Sequence, residues 1–262
     1  MKKILLALTI GAFLFSCSNK KSETEAAKNS DWTNEHLKGK VQSYEETSYT
    51  PDSTGKIGAM DSCCVDTRNY DEKGYSNSSQ SKDSKGTLKS ETTISHYDGG
   101  QVKEFITMEN GKKSSSFSID IDKDGKYSGA RAYDSTGKLT SFYTDLKEDD
   151  YGAVTAGTEH KPDSSVKSSF TAEYDKGLQV GSSGKDSSGK TTFTYKAELD
   201  DKGNIAKYTT TNVGKDSTTT KVTTYKYDSY DDAGNWTQRT TYDDKGKATK
   251  VVKRAYTYYK KD

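Results

Sequence analysis

Three aspartates at alternate positions, Asp120, Asp122 and Asp124, are the residues best spaced to hold a metal ion, and Gly125 follows them. This spacing matches the first half of a calcium-binding loop, in which oxygen ligands alternate and a glycine permits the bend. Such a loop also needs a bidentate glutamate at its twelfth position, where this chain has Arg131. We therefore favour a turn with extra carboxylates over a weak calcium site, and no cofactor is predicted.

Cysteines and histidines are the other side chains that could do chemistry. Cys63 and Cys64 are adjacent, and a strand directs neighbouring side chains to opposite faces. A disulfide across a trans peptide between neighbours is strained, so unpaired thiols are expected, with a vicinal or intermolecular disulfide as the alternative. His36, His96 and His160 are far apart in sequence, and no Gly-x-Ser-x-Gly motif accompanies them. No catalytic residue is assigned, and the chain is not expected to be an enzyme.

The motif Asp-x-x-Gly occurs ten times after residue 39 and is typical of short turns. These turns and the strands between them must position the residues named above. In each turn the aspartate side chain accepts a backbone hydrogen bond and the glycine adopts a positive φ. The ten motifs begin at Asp52, Asp71, Asp83, Asp122, Asp134, Asp149, Asp186, Asp200, Asp231 and Asp243. Degenerate versions fill the gaps at 98–100, 109–111, 163–166 and 175–177.

The spacing of the turns fixes the connections between strands. Consecutive turns lie about 11 to 16 residues apart, which leaves one strand of roughly 7 to 10 residues between them. Loops this short join antiparallel neighbours. Apolar side chains alternate along three stretches and share one face: Phe117, Ile119, Ile121; Val166, Phe170, Ala172, Tyr174; and Phe193, Tyr195, Ala197, Leu199. The sequence predicts an all-β antiparallel meander of about fourteen or fifteen strands.

Composition limits how that sheet is covered. Only 29% of the residues are apolar, which is too few for a well-filled sandwich or for a compact α/β enzyme. A sheet of this many strands curls or splits, so we expect a curled open sheet, with a β-sandwich or a flat single layer as alternatives. The 40 basic and 39 acidic residues nearly cancel, which gives no argument for binding nucleic acid.

The N-terminus has the order of an export signal: basic residues 1–3, an apolar run over 4–15, and the small Ser16 before Cys17. The run is too short to span a membrane. Its ending resembles a bacterial lipobox, which implies that the Cys17 thiol is acylated and becomes the new N-terminus after cleavage. An ordinary signal peptide with an incidental cysteine is the alternative.

Three regions follow from these patterns. Residues 1–16 are the predicted lipoprotein signal peptide, 17–38 the lipidated cysteine with a flexible tether, and 39–262 the repetitive sheet domain. The tether is rich in Ser, Lys, Glu and Asn, as solvated spacers are. A short helix over 31–37, capped by Asp31, is the alternative for its last part.

The turns also resemble a known family. Tyrosine precedes the turn aspartate at six places: Tyr70, Tyr97, Tyr133, Tyr174, Tyr230 and Tyr242. With the glycine and the following strand, these units resemble the YD repeats of the RHS family, most closely over 227–259. The resemblance covers roughly residues 39–262, with units of about 26 residues that each hold two strands. It implies a small RHS-repeat lipoprotein of a Gram-negative bacterium, and it contributes no catalytic residue.

The export signal and the repetitive sheet together predict a non-catalytic lipoprotein of the cell envelope. It would be held on the outer membrane by an N-terminal lipid such as palmitate. Its repetitive sheet would serve structural or binding purposes. Regular tyrosines suit contact with a glycan or a protein, although the favoured interpretation is that they are the sparse core of the sheet. An enzyme acting on envelope polymers and a toxin-associated or immunity-type factor are the alternative functions.

Overall fold

The computed structural model describes residues 30–260, so the predicted signal peptide, Cys17 and the first part of the tether lie outside the described residues. One short helix, α1, and sixteen strands make up the fold. No helix within 30–260 has the length and apolar character needed to cross a bilayer. The elements are α1 (Asp31–Asn34), β1 (Val41–Pro51), β2 (Ile57–Tyr70), β3 (Ser76–Asp83), β4 (Leu88–His96), β5 (Val102–Glu109), β6 (Lys112–Ile121), β7 (Tyr127–Asp134), β8 (Leu139–Glu148), β9 (Val154–His160), β10 (Val166–Asp175), β11 (Leu178–Asp186), β12 (Thr191–Leu199), β13 (Ile205–Val213), β14 (Thr218–Tyr230), β15 (Trp236–Tyr242) and β16 (Ala248–Tyr258).

The strands form a closed barrel in chain order, which confirms the all-β antiparallel meander and corrects the open curled sheet, the sandwich and the flat layer. β16 returns to β1, and their ladder runs without a shift from Ser43 opposite Thr257 to Tyr49 opposite Val251. Closure pairs the backbone groups that two edge strands would leave open. One turn without the repeated motif, at 214–217, helps raise the strand number to sixteen.

All ten predicted Asp-x-x-Gly turns form. At Asp134 the backbone carbonyl accepts the N–H of Gly137 at 3.0 Å, and the carboxylate accepts the N–H groups of Thr136 and Lys138 at 2.8 and 3.0 Å. The hydroxyl of Thr136 and these N–H groups hold the pKa of the Asp134 carboxyl below its usual value. The repeated aspartates therefore serve the turns, as the sequence predicts.

The apolar face of the sheet lines the inside of the barrel. Phe117, Ile119 and Phe170 belong to one cluster contributed by β4–β10, as their alternation predicts. Val166 departs from this pattern and is 42% exposed, because the register between β9 and β10 shifts just after it. The outward face carries polar cross-strand pairs such as Lys207 with Glu198, whose Nζ and Oε1 are 2.9 Å apart.

Residues 30–38, which we call the plug segment, pack across one end of the barrel instead of forming a free spacer. Ser30, not Asp31, caps α1. Trp32 is 3% exposed, and its indole N–H donates to the Val41 carbonyl at 2.8 Å. Glu35 accepts the Tyr70 hydroxyl at 2.9 Å. The plug segment therefore closes this end of the barrel. Because Tyr70 contacts Glu35 of the plug segment, the face of the sheet that carries Tyr70 is the one that lines the lumen.

The plug segment also brings two distant turns together. The β2–β3 and β10–β11 turns are eight strands apart in the sixteen-stranded ring. Trp32 donates its backbone N–H to the Gly74 carbonyl in the first turn at 3.2 Å, while Asn34 lies against Gly177 in the second. The two turns therefore both contact the plug segment at this end of the barrel.

Candidate ligand-binding wall of the lumen

The three aspartates considered for calcium do not converge. Asp120 lies on the outer wall, where it forms an ion pair with Arg131, the residue that replaces the glutamate of a calcium loop. Asp122 accepts the backbone N–H groups of Lys126 and Asp124 at 2.9 and 2.8 Å, and these bonds lower the pKa of its carboxyl. No three His, Cys, Asp or Glu side chains within residues 30–260 are grouped to hold a metal ion.

The two adjacent cysteines differ from expectation. Cys63 and Cys64 form a vicinal disulfide in β2, across a cis peptide bond, rather than remaining unpaired thiols. Their Cα atoms are 3.1 Å apart.

The three histidines lie in separate parts of the molecule. His36 in the plug segment contacts the Gly203 carbonyl through Nδ1 at 2.8 Å. His96 lies 5.5 Å from the Tyr75 ring between centroids, and burial lowers the pKa of its imidazole. His160 stacks at 4.9 Å on Phe142. The fold brings no two of them together.

Two shallow depressions open on the barrel wall, with volumes of about 230 and 430 Å³. The first contains Asp145 as its one carboxylate, beside Lys147 and Lys185. The second contains Glu45 beside Lys253. Neither depression places two carboxylates together, as acid–base cleavage of a glycan requires.

The most distinctive feature of the lumen is a row of rings, here called the aromatic ladder, which crosses β12–β15. Successive ring centroids lie 5.7, 5.6, 6.5 and 5.8 Å apart. The ladder consists of Tyr195, Tyr208, Tyr225, Tyr227 and Trp236. Its four tyrosines are half-buried, unlike the closely packed apolar cluster of β4–β10. The ladder is therefore the part of the wall best suited to contact a ligand.

Burial favours the neutral form of two ladder hydroxyls, those of Tyr195 and Tyr225. It raises the pKa of Tyr195 to about 12 and moves the pKa of Tyr225 further in the same direction. Neutral phenols donate and accept hydrogen bonds while their rings present flat faces, a combination that suits the hydroxyls and apolar faces of a sugar.

Some lumen tyrosines, among them Tyr227 of the ladder, have a structural role. Four hydroxyls donate to backbone carbonyls at 2.9 to 3.3 Å, three of them on the neighbouring strand and one, from Tyr97, on β6. The pairs are Tyr97 with Ile119, Tyr174 with Val154, Tyr227 with Ile205, and Tyr256 with Trp236. These bonds brace the curved wall, so for Tyr97, Tyr174 and Tyr256 the interpretation as sparse core is the better one.

Arginines lie among the rings, and sequence reasoning missed them. Arg254 pairs with Glu46 at 2.8 Å and lies 4.0 Å from the Trp236 ring centroid. Although burial opposes ionisation, the guanidinium groups of Arg254 and Arg239 hold the pKa of Glu46 below its usual value. Sequence spacing could have predicted this position of Arg254. It is two residues before Tyr256 in one strand, so both side chains lie on the lumen face.

Comparison with solved structures defines the class of fold, a porin-like closed antiparallel barrel. A porin-like protein from Bacteroides uniformis superposes with a TM-score of 0.54 at 14% identity, over 83% of this chain and 96% of that one. At this identity the likeness concerns the fold alone.

Two further likenesses are too loose to carry an argument. A porin-like protein from Bacteroides vulgatus superposes with a TM-score of 0.37 at 12% identity, over 84% of this chain and 98% of that one. The Tc holotoxin pore of Photorhabdus luminescens gives 0.28 at 12% identity, over 79% of this chain and 13% of that one. No protein-family model matches the sequence, and a search of curated proteins finds no match.

Proposed function

We propose that this protein is a non-catalytic envelope lipoprotein, tethered through acylated Cys17, whose barrel binds a saccharide in its lumen. The observation that carries the proposal is the aromatic ladder, because it places five neighbouring rings on one part of the lumen wall. Rings on a rigid sheet contact ligands at little cost in side-chain entropy. The proposal corrects the expected place of binding from an open sheet surface to the lumen.

Charged residues on the outer wall support a tether over insertion of the wall into lipid. Arg131, Lys226 and Lys253 lie within their strands and are exposed, and each neighbours a lumen residue in sequence. In a membrane-embedded barrel, each Lys or Arg at the bilayer midplane costs about 2–4 kcal/mol. A lipid on Cys17 would hold the protein at a membrane while its wall stays in water.

The alternative functions have weaker support. An enzyme acting on envelope polymers needs a converging acid and base, and neither wall depression supplies them. A toxin-associated or immunity-type role depends on the RHS resemblance alone. The repeat architecture of that family remains part of the proposal as the origin of the two-strand units.

Anchoring is tested with Cys17→Ala and the matched variant Ser18→Ala in a lipoprotein-processing bacterium. We expect Cys17→Ala to lose fatty-acid labelling and to become soluble or remain uncleaved, while Ser18→Ala behaves as wild type. A Cys17→Ala protein that keeps its fatty-acid label would overturn the proposed anchor.

Ligand binding is tested on a glycan array with wild type, Trp236→Ala and the outer-wall control Lys226→Gln. We expect the saccharides bound by wild type to be lost only with Trp236→Ala. Binding that survives this substitution would place the site outside the ladder.

A further inference from the structure

We infer that Arg239 and the rings beside it form a subsite for the carboxylate group of an acidic glycan. The inference rests on the proposed saccharide-binding lumen and names the class of sugar that it would select. Its basis is the charge arrangement of the wall formed by β14–β16 and β1.

Arg239 differs from the other two lumen arginines in lacking a carboxylate partner. Arg68 forms an ion pair with Glu35, and Arg254 forms one with Glu46. Within residues 30–260, no carboxylate lies within ion-pair distance of Arg239, and its buried Nε has no hydrogen-bond partner. A half-buried guanidinium without a paired carboxylate loses part of its hydration, and a ligand anion would offset that loss.

Arg239 is also held in an orientation that suits recognition. Its guanidinium carbon lies 4.2 Å from the Tyr225 ring centroid and 4.8 Å from that of Trp236. Stacking on two rings fixes the plane of the fork before a ligand arrives, and a guanidinium fork matches the two oxygens of a carboxylate. The same rings belong to the aromatic ladder, so a sugar stacked on the half-buried tyrosines of the ladder would bring a ring carboxylate close to Arg239.

The surrounding charge favours an anion. Glu46 on β1 is paired with Arg254 across this part of the wall. Lys250 on β16 and Arg239 on β15 add positive charge close enough to lower the pKa of Glu46. Because Arg254 already neutralises Glu46, the positive charge of Arg239 is available to a ligand carboxylate, which a neutral sugar does not supply.

The test compares a short oligogalacturonate with its full methyl ester, which keeps the same rings and linkages but has no charge. Isothermal titration calorimetry uses the full chain purified in mild detergent. We expect the charged form to bind at least tenfold more tightly than the ester, and this preference to shrink as salt rises. Arg239→Gln should remove the preference, so that the charged form and the ester bind with similar affinity, while Lys226→Gln on the outer wall keeps the wild-type preference.

Arg239→Lys keeps the charge but loses the planar fork, and it should give an intermediate preference. Circular dichroism of each variant checks that the barrel is intact. Equal binding of both probes by wild type, lost in Trp236→Ala, would keep the saccharide-binding lumen and overturn the carboxylate subsite. Failure of wild type to bind either probe would overturn this inference, and the glycan array then decides the proposed function separately.

Discussion

Docking of the plug segment should depend on pH through one carboxyl group, that of Asp31. Its Oδ2 accepts the backbone N–H of Ser76 at 2.7 Å. Burial raises the pKa of Asp31 from 3.8 to about 6. The Ser76 bond and Arg68 oppose this rise, whereas Glu35 and Asp71 reinforce it. Folding therefore favours the protonated form of the Asp31 carboxyl, compared with the unfolded chain.

The sign follows from proton binding. Because the folded pKa lies above the unfolded one, the native state binds more protons between these two values, and stability falls as pH rises from about 4 to 6. A shift of about two pKa units corresponds to about 3 kcal/mol. Since Asp31 keeps part of its surface in water, we expect about 2 kcal/mol. Asp31→Asn cannot ionise, so it should be more stable than wild type near pH 7 by this amount.

The assay is urea unfolding of wild type and Asp31→Asn at several pH values, followed by Trp32 emission and by circular dichroism. Subtracting one profile from the other cancels the contributions of groups that titrate in both proteins, such as His96. Asp201→Asn, in an exposed turn, is the matched control and should leave the profile unchanged. Parallel pH profiles for wild type and Asp31→Asn would refute the reasoning.

Trp32→Ala should cost about 3–5 kcal/mol in urea unfolding, because it empties a buried site and leaves the Val41 carbonyl without its donor. Glu46→Ala should lower the free energy of unfolding by about 3 kcal/mol, because Arg254 is left buried and unpaired. Glu198→Ala, in an exposed pair, should lower it by under about 1 kcal/mol. Equal losses in the two variants would contradict the burial argument. Millimolar calcium should not raise the melting temperature, although a ligand at 100 times its Kd adds about 2.7 kcal/mol; a shift that Asp120→Asn abolishes would contradict the turn interpretation.

Local chemistry was predictable from the sequence. An Asp-x-x-Gly turn is made by its own residues, so all ten could be placed without knowing the rest of the fold. Side-chain alternation in a strand is equally local, which is why Phe117 and Ile119 were assigned correctly to one face. Val166 was not, because a register shift arises between strands rather than within one.

Closure and the candidate site were decided by tertiary structure. Whether β16 meets β1 depends on curvature accumulated over sixteen strands, and no single repeat encodes that sum. Closure then determined which side of the sheet became a lumen and placed Glu46 on β1 beside Arg254 on β16, residues 208 positions apart. The sequence by itself supplied turns, strands and a tyrosine-rich face, since these depend on neighbours along the chain. The pairing of charges inside the barrel depends on contacts between distant strands, which only the folded chain provides.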